Sequence, residues 1–268
     1  MPEAFLLDRD VIRATGPEAL SYLQGQLSQD LLFLADGESA WSWLLAPNGK
    51  VDALVRATRL DAEDWLLDTD GGYGEAVRAR LDRFKLRTKA QFAAEEASVV
   101  RFAGPVPDGL DALVTIRSPW PGLDATDVIT RAAVEAKPSA EYERWRIAAG
   151  IPRMGAELDE RTIPAESGLV DLTVSFTKGC YTGQELVARV DSRGSNVPRH
   201  LTRLRAAGEV VPGSELVDDS GATVGRVTSA APVPGGGWVA LGYVKRGIEA
   251  DRVLYSSGRP VEQVVAGR

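Results

Sequence analysis

The chain has 268 residues, 44% hydrophobic and 26% charged, a makeup that excludes intrinsic disorder. A net charge of -7 argues against broad, direct nucleic-acid binding, which depends on neutralising phosphates. One cysteine and one histidine exclude an intrachain disulfide and any zinc site of two cysteines and two histidines, and no metal site is expected.

Residues 4–13 read as a strand or strand pair with a turn around Asp8 to Asp10. Thr15-Gly16-Pro17-Glu18 then starts a helix, with Leu20, Leu23, Leu27 and Leu31 at helical spacing and Gly25 set for close packing or ligand approach. Strands over Ala40 to Ala46 and Val51 to Leu60 flank Pro47-Asn48-Gly49, a strong hairpin signal. A strand at Trp65 to Asp68 follows, then a helix marked by Val77, Leu81 and Phe84, then strands over Leu86 to Phe92 and Ser98 to Phe102. The proline-rich stretch 104–122 reads as a connection between lobes. A helix from Ser139 to Ala149 stops at Gly150 and Pro152. After Asn196, short alternating segments broken by glycine turns predict a small β-barrel or sandwich. The pattern is α+β: a body over 1–195, with a break between lobes near 104–122, and a β-barrel or sandwich over 196–268. The longest apolar run, Leu31 to Ala35, is far short of the ~20 residues that span a bilayer. With no signal-peptide pattern after Met1-Pro2-Glu3, the sequence reads as cytoplasmic, without membrane association.

Lys178-Gly179-Cys180-Tyr181-Thr182-Gly183-Gln184-Glu185 is the most informative segment. Thr182 and Glu185 have capping-box spacing, which predicts a helix start and places Cys180 near its partly positive end, with Lys178 close by. Both features favour a thiolate; the plain alternative is a cysteine serving as a small core hydrophobe. Gly179 and Gly183 free the backbone for positive φ or close approach to a ligand.

That segment resembles the signature of the YgfZ family of folate-binding proteins, related to the glycine-cleavage T-protein (aminomethyltransferase). Further similarity lies in Gly16 to Ala19, Tyr22 to Asp30, Leu45 to Lys50, Leu86-Arg87, Ala149 to Pro152, Ile163 to Glu166, Gly221 to Ser229 and Gly242-Tyr243. The resemblance implies two intertwined lobes around a central opening plus the C-terminal barrel. It implies tetrahydrofolate, or a one-carbon derivative, as cofactor. The implied role is as an accessory protein for iron–sulfur cluster assembly or repair, with cluster client or assembly proteins as partners. Cys180 would be the reactive thiol and Lys178 its electrostatic activator or a contact to the folate tail. Gly179, Tyr181, Gly183, Gln184 and Glu185 would form the scaffold of the motif. One cysteine cannot hold a cluster alone, since clusters normally take four thiolates, so any cluster would be shared. The alternatives are a folate-dependent aminomethyltransferase and a non-catalytic folate-binding module. Where the T-protein has paired aspartates after the hairpin, one of which assists one-carbon transfer, this chain has Asp52-Ala53, so the resemblance leaves Asp52 as the candidate carboxylate toward the cofactor. Alanine replaces the pterin-holding glutamate after Arg146. Glu166 is a substitute carboxylate on the adjoining loop, and Arg146, Arg189 and Arg193 are candidates to cradle the glutamate tail. Tyr22 and Trp145 are candidate stacking partners, whereas Trp41, Trp43 and Trp65 read as strand packing and His200 as a surface residue.

Overall fold

The computed structural model describes residues 3–120, 124–137 and 139–264. A four-stranded antiparallel sheet in the order β1-β7-β9-β8 combines Glu3–Leu7, Ser98–Ala103, Thr126–Thr130 and Ala112–Arg117. A five-stranded sheet, β3-β4-β5-β2-β6, combines Ser39–Leu45, Val51–Arg59, Asp64–Asp70, Arg9–Thr15 and Gln91–Glu95. A closed barrel, β10-β13-β12-β11-β14-β15, combines Arg199–Ala206, Trp238–Lys245, Thr223–Pro232, Glu215–Val217, Leu254–Ser256 and Arg259–Gln263. The α+β body with a C-terminal barrel is therefore present.

The five-stranded sheet packs its inner face on helices α1, Ala19–Gln26, and α2, Gly74–Phe84, through Leu23, Leu27, Trp65, Val77 and Leu81. Helix α3, Ser139–Ala149, bridges the four-stranded sheet and the barrel, and its Ile147 packs with Ala231, Val239 and Leu241. A 3-10 turn at Pro164–Ser167 and a short helix α4, Val170–Thr173, precede α5, Gln184–Ser192. The helix α3 and the Pro47-Asn48-Gly49 hairpin stand where the sequence places them. Among the described residues no helix is long and apolar enough to cross a membrane.

Several elements differ from the sequence reading. The strands flanking Asp8 do not pair with each other: β1 pairs with β7, while β2 lies between β5 and β6. Helix α1 stops at Gln26, and Leu27 turns into a bridge with Leu44, so Leu27 and Leu31 are buried without being helical. A Cβ at Gly25 would meet nothing within 4 Å, so no close packing requires that glycine. Leu86 adopts a left-handed φ of 48° and is exposed, so the strand expected from Leu86 begins only at Gln91. The proline-rich stretch carries β8, which pairs with β9; residues 121–123 lie outside the described residues.

Candidate functional site

Charges at the centres of apolar strands meet where the two sheets join. Arg56 on β4 donates from Nε to Asp68 Oδ2 at 2.8 Å and from Nη1 to Asp127 Oδ2 at 2.5 Å. Arg101 on β7 donates to both oxygens of Asp127, at 2.5 and 2.7 Å, and to the Tyr142 hydroxyl at 2.8 Å. Arg9 pairs with Asp68 and, at 3.2 Å, with Asp70. Arg56, Asp68, Arg101 and Asp127 are at most 1% exposed, so each ion survives burial only because the others compensate it. Burial alone would raise the Asp127 pKa, but the Arg101 and Arg56 guanidiniums outweigh it and hold it at about 2.

Above this network lies a cavity of about 170 Å³ walled by Trp41, Leu54, Trp120 and Ile151, with Asp70, Arg101 and Arg146 among its polar lining. The Trp41 and Trp120 rings lie 5.3 Å apart at 55°, and Arg9 sits over Trp41 at 4.9 Å. Both indole Nε1–H groups are buried without an acceptor. Asp70 accepts from Arg9 and, at 2.8 Å, from the Met154 amide, which leaves acceptor capacity on a carboxylate whose pKa burial raises and Arg9 opposes. An apolar, aromatic wall with spare donors and one spare acceptor suits a flat polar heterocycle.

Arg146 lines this cavity, yet its guanidinium is fully committed. It donates to both Glu143 oxygens at 2.8 Å, to the Ile151 carbonyl at 2.9 Å, to Glu157 at 3.1 Å and to Ser229 Oγ at 2.8 Å. That uses all five N–H donors and ties α3 to the barrel strand β12, leaving none for a folate tail.

The motif sits at the C-terminal end of α1. Lys178 Nζ donates to the carbonyls of Gln24, Leu27 and Gln29 at 2.7, 2.6 and 2.8 Å, so its three protons are spent holding the loop. Burial pulls its pKa down to about 8, against Asp30. The Thr182 amide donates to Gly25 O at 3.2 Å. Cys180, between these anchors, is exposed, which removes the core-hydrophobe reading. Tyr181 is buried in the cluster that contains the cavity residues Trp41, Leu54, Trp120 and Met154. The expected capping box is absent: the N-cap is Gly183 in the left-handed region at φ 82°, with no side-chain cap, and Gln184 Oε1 accepts from the Tyr181 amide at 3.1 Å. A Cβ on Gly183 would lie 2.6 Å from Ala46 O, so the hairpin forces glycine there; Gly179 faces open space and Glu185 is exposed.

The other expected site residues are dispersed. Asp52 is the extra residue of a β-bulge, since Leu44 faces Ala53 and Leu45 faces Val51. The bulge places its carboxylate 3.5 Å from Arg80, where burial raises its pKa against that cation. Glu166 is buried and bound by Arg199 at 3.1 Å. Arg189 and Arg193 are exposed on α5 and its C-cap, and His200 is exposed on β10. Tyr22 donates to Leu81 O at 2.6 Å inside the helical core, and Trp145 stacks on Phe5. Of the expected site residues, then, the structure brings Arg146 to the cavity and not Asp52, Glu166, Lys178, Cys180 or Arg189. Sequence reasoning missed Arg9, Asp70 and Trp120 and read Trp41 as packing alone; the ion network beneath the cavity had a signal, a charge in the middle of an apolar strand at Arg56, Asp68 and Arg101.

No protein-family model matches the chain. It is 30% identical to the tRNA-modifying protein YgfZ of Edwardsiella ictaluri, over 91% of this chain and 84% of that protein. It is 28% identical to an iron–sulfur cluster assembly factor IBA57 homolog of Pyricularia oryzae, over 70% of this chain and 54% of that protein. Among solved structures, the glycine cleavage system aminomethyltransferase T of Bartonella henselae superposes with a TM-score of 0.80 at 20% identity, covering 97% of this chain and 83% of that one. The chain belongs to the YgfZ family, on the fold of the glycine-cleavage T-protein.

Proposed function

We propose that this protein binds tetrahydrofolate, or a one-carbon derivative of it, in the Trp41–Trp120 cavity and serves iron–sulfur proteins through Cys180. One observation carries the reading: Tyr181, next to the exposed thiol, is packed into the same cluster as the walls of that cavity. That shared packing is a path by which a ligand in the cavity would bear on the loop that presents the thiol. The names of the relatives, a tRNA-modifying protein and a cluster assembly factor, point the same way.

The residues present fit the cofactor. The indoles offer a flat apolar face and two N–H donors that lack acceptors, and Asp70 takes the place of the missing carboxylate for heterocycle N–H groups. Bound tetrahydrofolate supplies a carrier or trap for a one-carbon unit. Cys180 supplies one sulfur, so a cluster handled here completes its coordination on a partner. Lys178 acts as the anchor of the loop through its three carbonyl acceptors. Aminomethyl transfer has weaker support, because Asp52 pairs with Arg80 and does not line the cavity.

Thermal unfolding with increasing tetrahydrofolate tests the first half, because a ligand selective for the native state raises its stability. The second half is tested by complementing a strain that lacks the gene with Cys180→Ala and measuring cluster-dependent enzymes. No stabilisation would overturn the folate assignment; full complementation would reduce the protein to a passive folate-binding module.

A further inference from the structure

The loop that carries the exposed thiol is anchored on one side of a feature that neither the folate cavity nor the motif accounts for. A groove of about 490 Å³ runs along α1, from its N-cap Glu18 to Gln26, against the segment leaving α2, with Gly25, Phe84 and Leu86 among its lining residues. The C-terminal end of α1 holds the motif: Gly25 O accepts from Thr182, and the Gln24 and Leu27 carbonyls accept from Lys178. Arg80 ties the two sides together, donating to Gln26 Oε1 at 3.2 Å and lying 4.0 Å from the Phe84 ring centroid.

The wall of this groove is unusual for a chain of net charge -7. Lys85 and Arg87 line it together with Phe84, Leu86 and Thr88, Arg83 and Lys89 flank them in sequence with no acid between Asp82 and Glu95, and the acid in the lining, Glu18, is held by the Lys89 amide. Lys85 pairs with Asp82 at 2.9 Å; Arg83, Arg87 and Lys89 are exposed, and their side-chain cations form no ion pair among the described residues. Phe84 is 45% and Leu86 89% exposed. Leu86 holds a left-handed φ of 48°, a conformation costly for a bulky residue, and its side chain gains no core contact in return.

We propose that this groove is the docking site for an acidic segment of a partner protein, with an apolar side chain seated on Phe84 and Leu86. The charge on the wall selects acidic partners and repels basic ones, and the apolar pair supplies the anchor. The whole-chain charge favours a protein segment over RNA, since only this small patch could neutralise phosphates. The assignment deepens the functional reading above, and rests on Cys180 as the working thiol, by naming where and how the cluster partner approaches it.

Fluorescence anisotropy of the full chain with short fluorescein-labelled peptides tests this. A peptide of glutamates around a central leucine is expected to bind at least ~10-fold tighter than its lysine counterpart at low salt. That preference should collapse in Arg83→Ala/Arg87→Ala/Lys89→Ala and at high salt. Leu86→Ser should weaken the leucine peptide but not a serine-centred one. Equal affinity for the acidic and basic peptides, a preference that survives in the triple variant, or tighter binding of a labelled oligouridine would each overturn the proposal. Placing a nitrothiobenzoate-activated cysteine in the acidic peptide adds a second readout. The Cys180 thiolate attacks the peptide sulfur, the protein–peptide disulfide forms and thionitrobenzoate leaves. Release should be faster from the acidic peptide than from the basic one. Neither readout uses folate or a cluster, so a failed tetrahydrofolate titration or a complementing Cys180→Ala strain leaves the docking result standing, and the reverse also holds.

Discussion

Lys178 is bound to Leu27 through a 2.6 Å hydrogen bond from its ammonium to the carbonyl at the C-cap of α1. The helix end has carbonyls without intrahelical partners, and a cation is the natural group to satisfy them. Lys178→Met leaves three carbonyls without this donor, and a loss of roughly 1–3 kcal/mol in urea unfolding is expected, together with increased proteolysis of the motif loop.

The same lysine gives a pH signature. Its pKa in the folded chain is about 8, below the 10.5 of the free side chain. Between those values the unfolded state binds the proton and the folded state has released it, so this group makes stability rise with pH from about 8 to 10.5. Unfolding curves across that window should show the rise in the natural protein and lack it in Lys178→Met.

Asp127 works in the opposite range. Held at about 2 by Arg101 and Arg56, it contributes stability that is complete above the ordinary aspartate pKa of 3.8 and is lost as pH falls toward 2. Asp127→Asn leaves two buried guanidiniums undercompensated, and a loss of about 3–5 kcal/mol is expected at neutral pH, with a flattened acid limb in a pH-dependent unfolding series.

The cavity is checked by Trp41→Phe, which deletes an N–H that has no acceptor while retaining an aromatic wall. The unliganded melting temperature should change little, because an unsatisfied group is removed rather than created. The rise in melting temperature with tetrahydrofolate should shrink in this variant and vanish in Asp70→Asn. An undiminished rise in both would place the ligand elsewhere.

Gly183→Ala probes the close approach of the motif to the hairpin. A left-handed φ costs an L-residue about 1–2 kcal/mol, and the added Cβ would press on Ala46 O and Leu45. Differential scanning calorimetry should show a loss at least that large, and the reaction of Cys180 with a thiol reagent should change with it. Gly179→Ala, which faces open space, is the control and should change neither.

Local order was legible without coordinates wherever it depends on neighbours along the chain. The Pro47-Asn48-Gly49 turn, helix α3 with its Gly150 stop, and the alternating strands of the barrel all follow from short-range rules. The resemblance read from the contiguous segment Lys178 to Glu185 gave the family that a 30% identical relative shows over 91% of the chain. Asp52 shows the limit: its turn was readable, but the bulge that aims it at Arg80 depends on the register against β3. Arg146 shows another, since its five acceptors come from α3, the following loop and the barrel.

Residue order by itself thus determined the α+β pattern and the strand-rich C-terminal region, because backbone preference and polar/apolar alternation act over a few residues, whereas closure of that region into a barrel needed the long-range pairing of its strands. The tertiary structure decided which charges compensate one another and where the cavity opens. Asp68 and Asp127 lie on different sheets and are joined through Arg56, and Trp41 meets Trp120 although the two are far apart along the chain. Such contacts are set by burial, which forces each ion and each indole to find its partners wherever the packed chain brings them, regardless of distance in sequence.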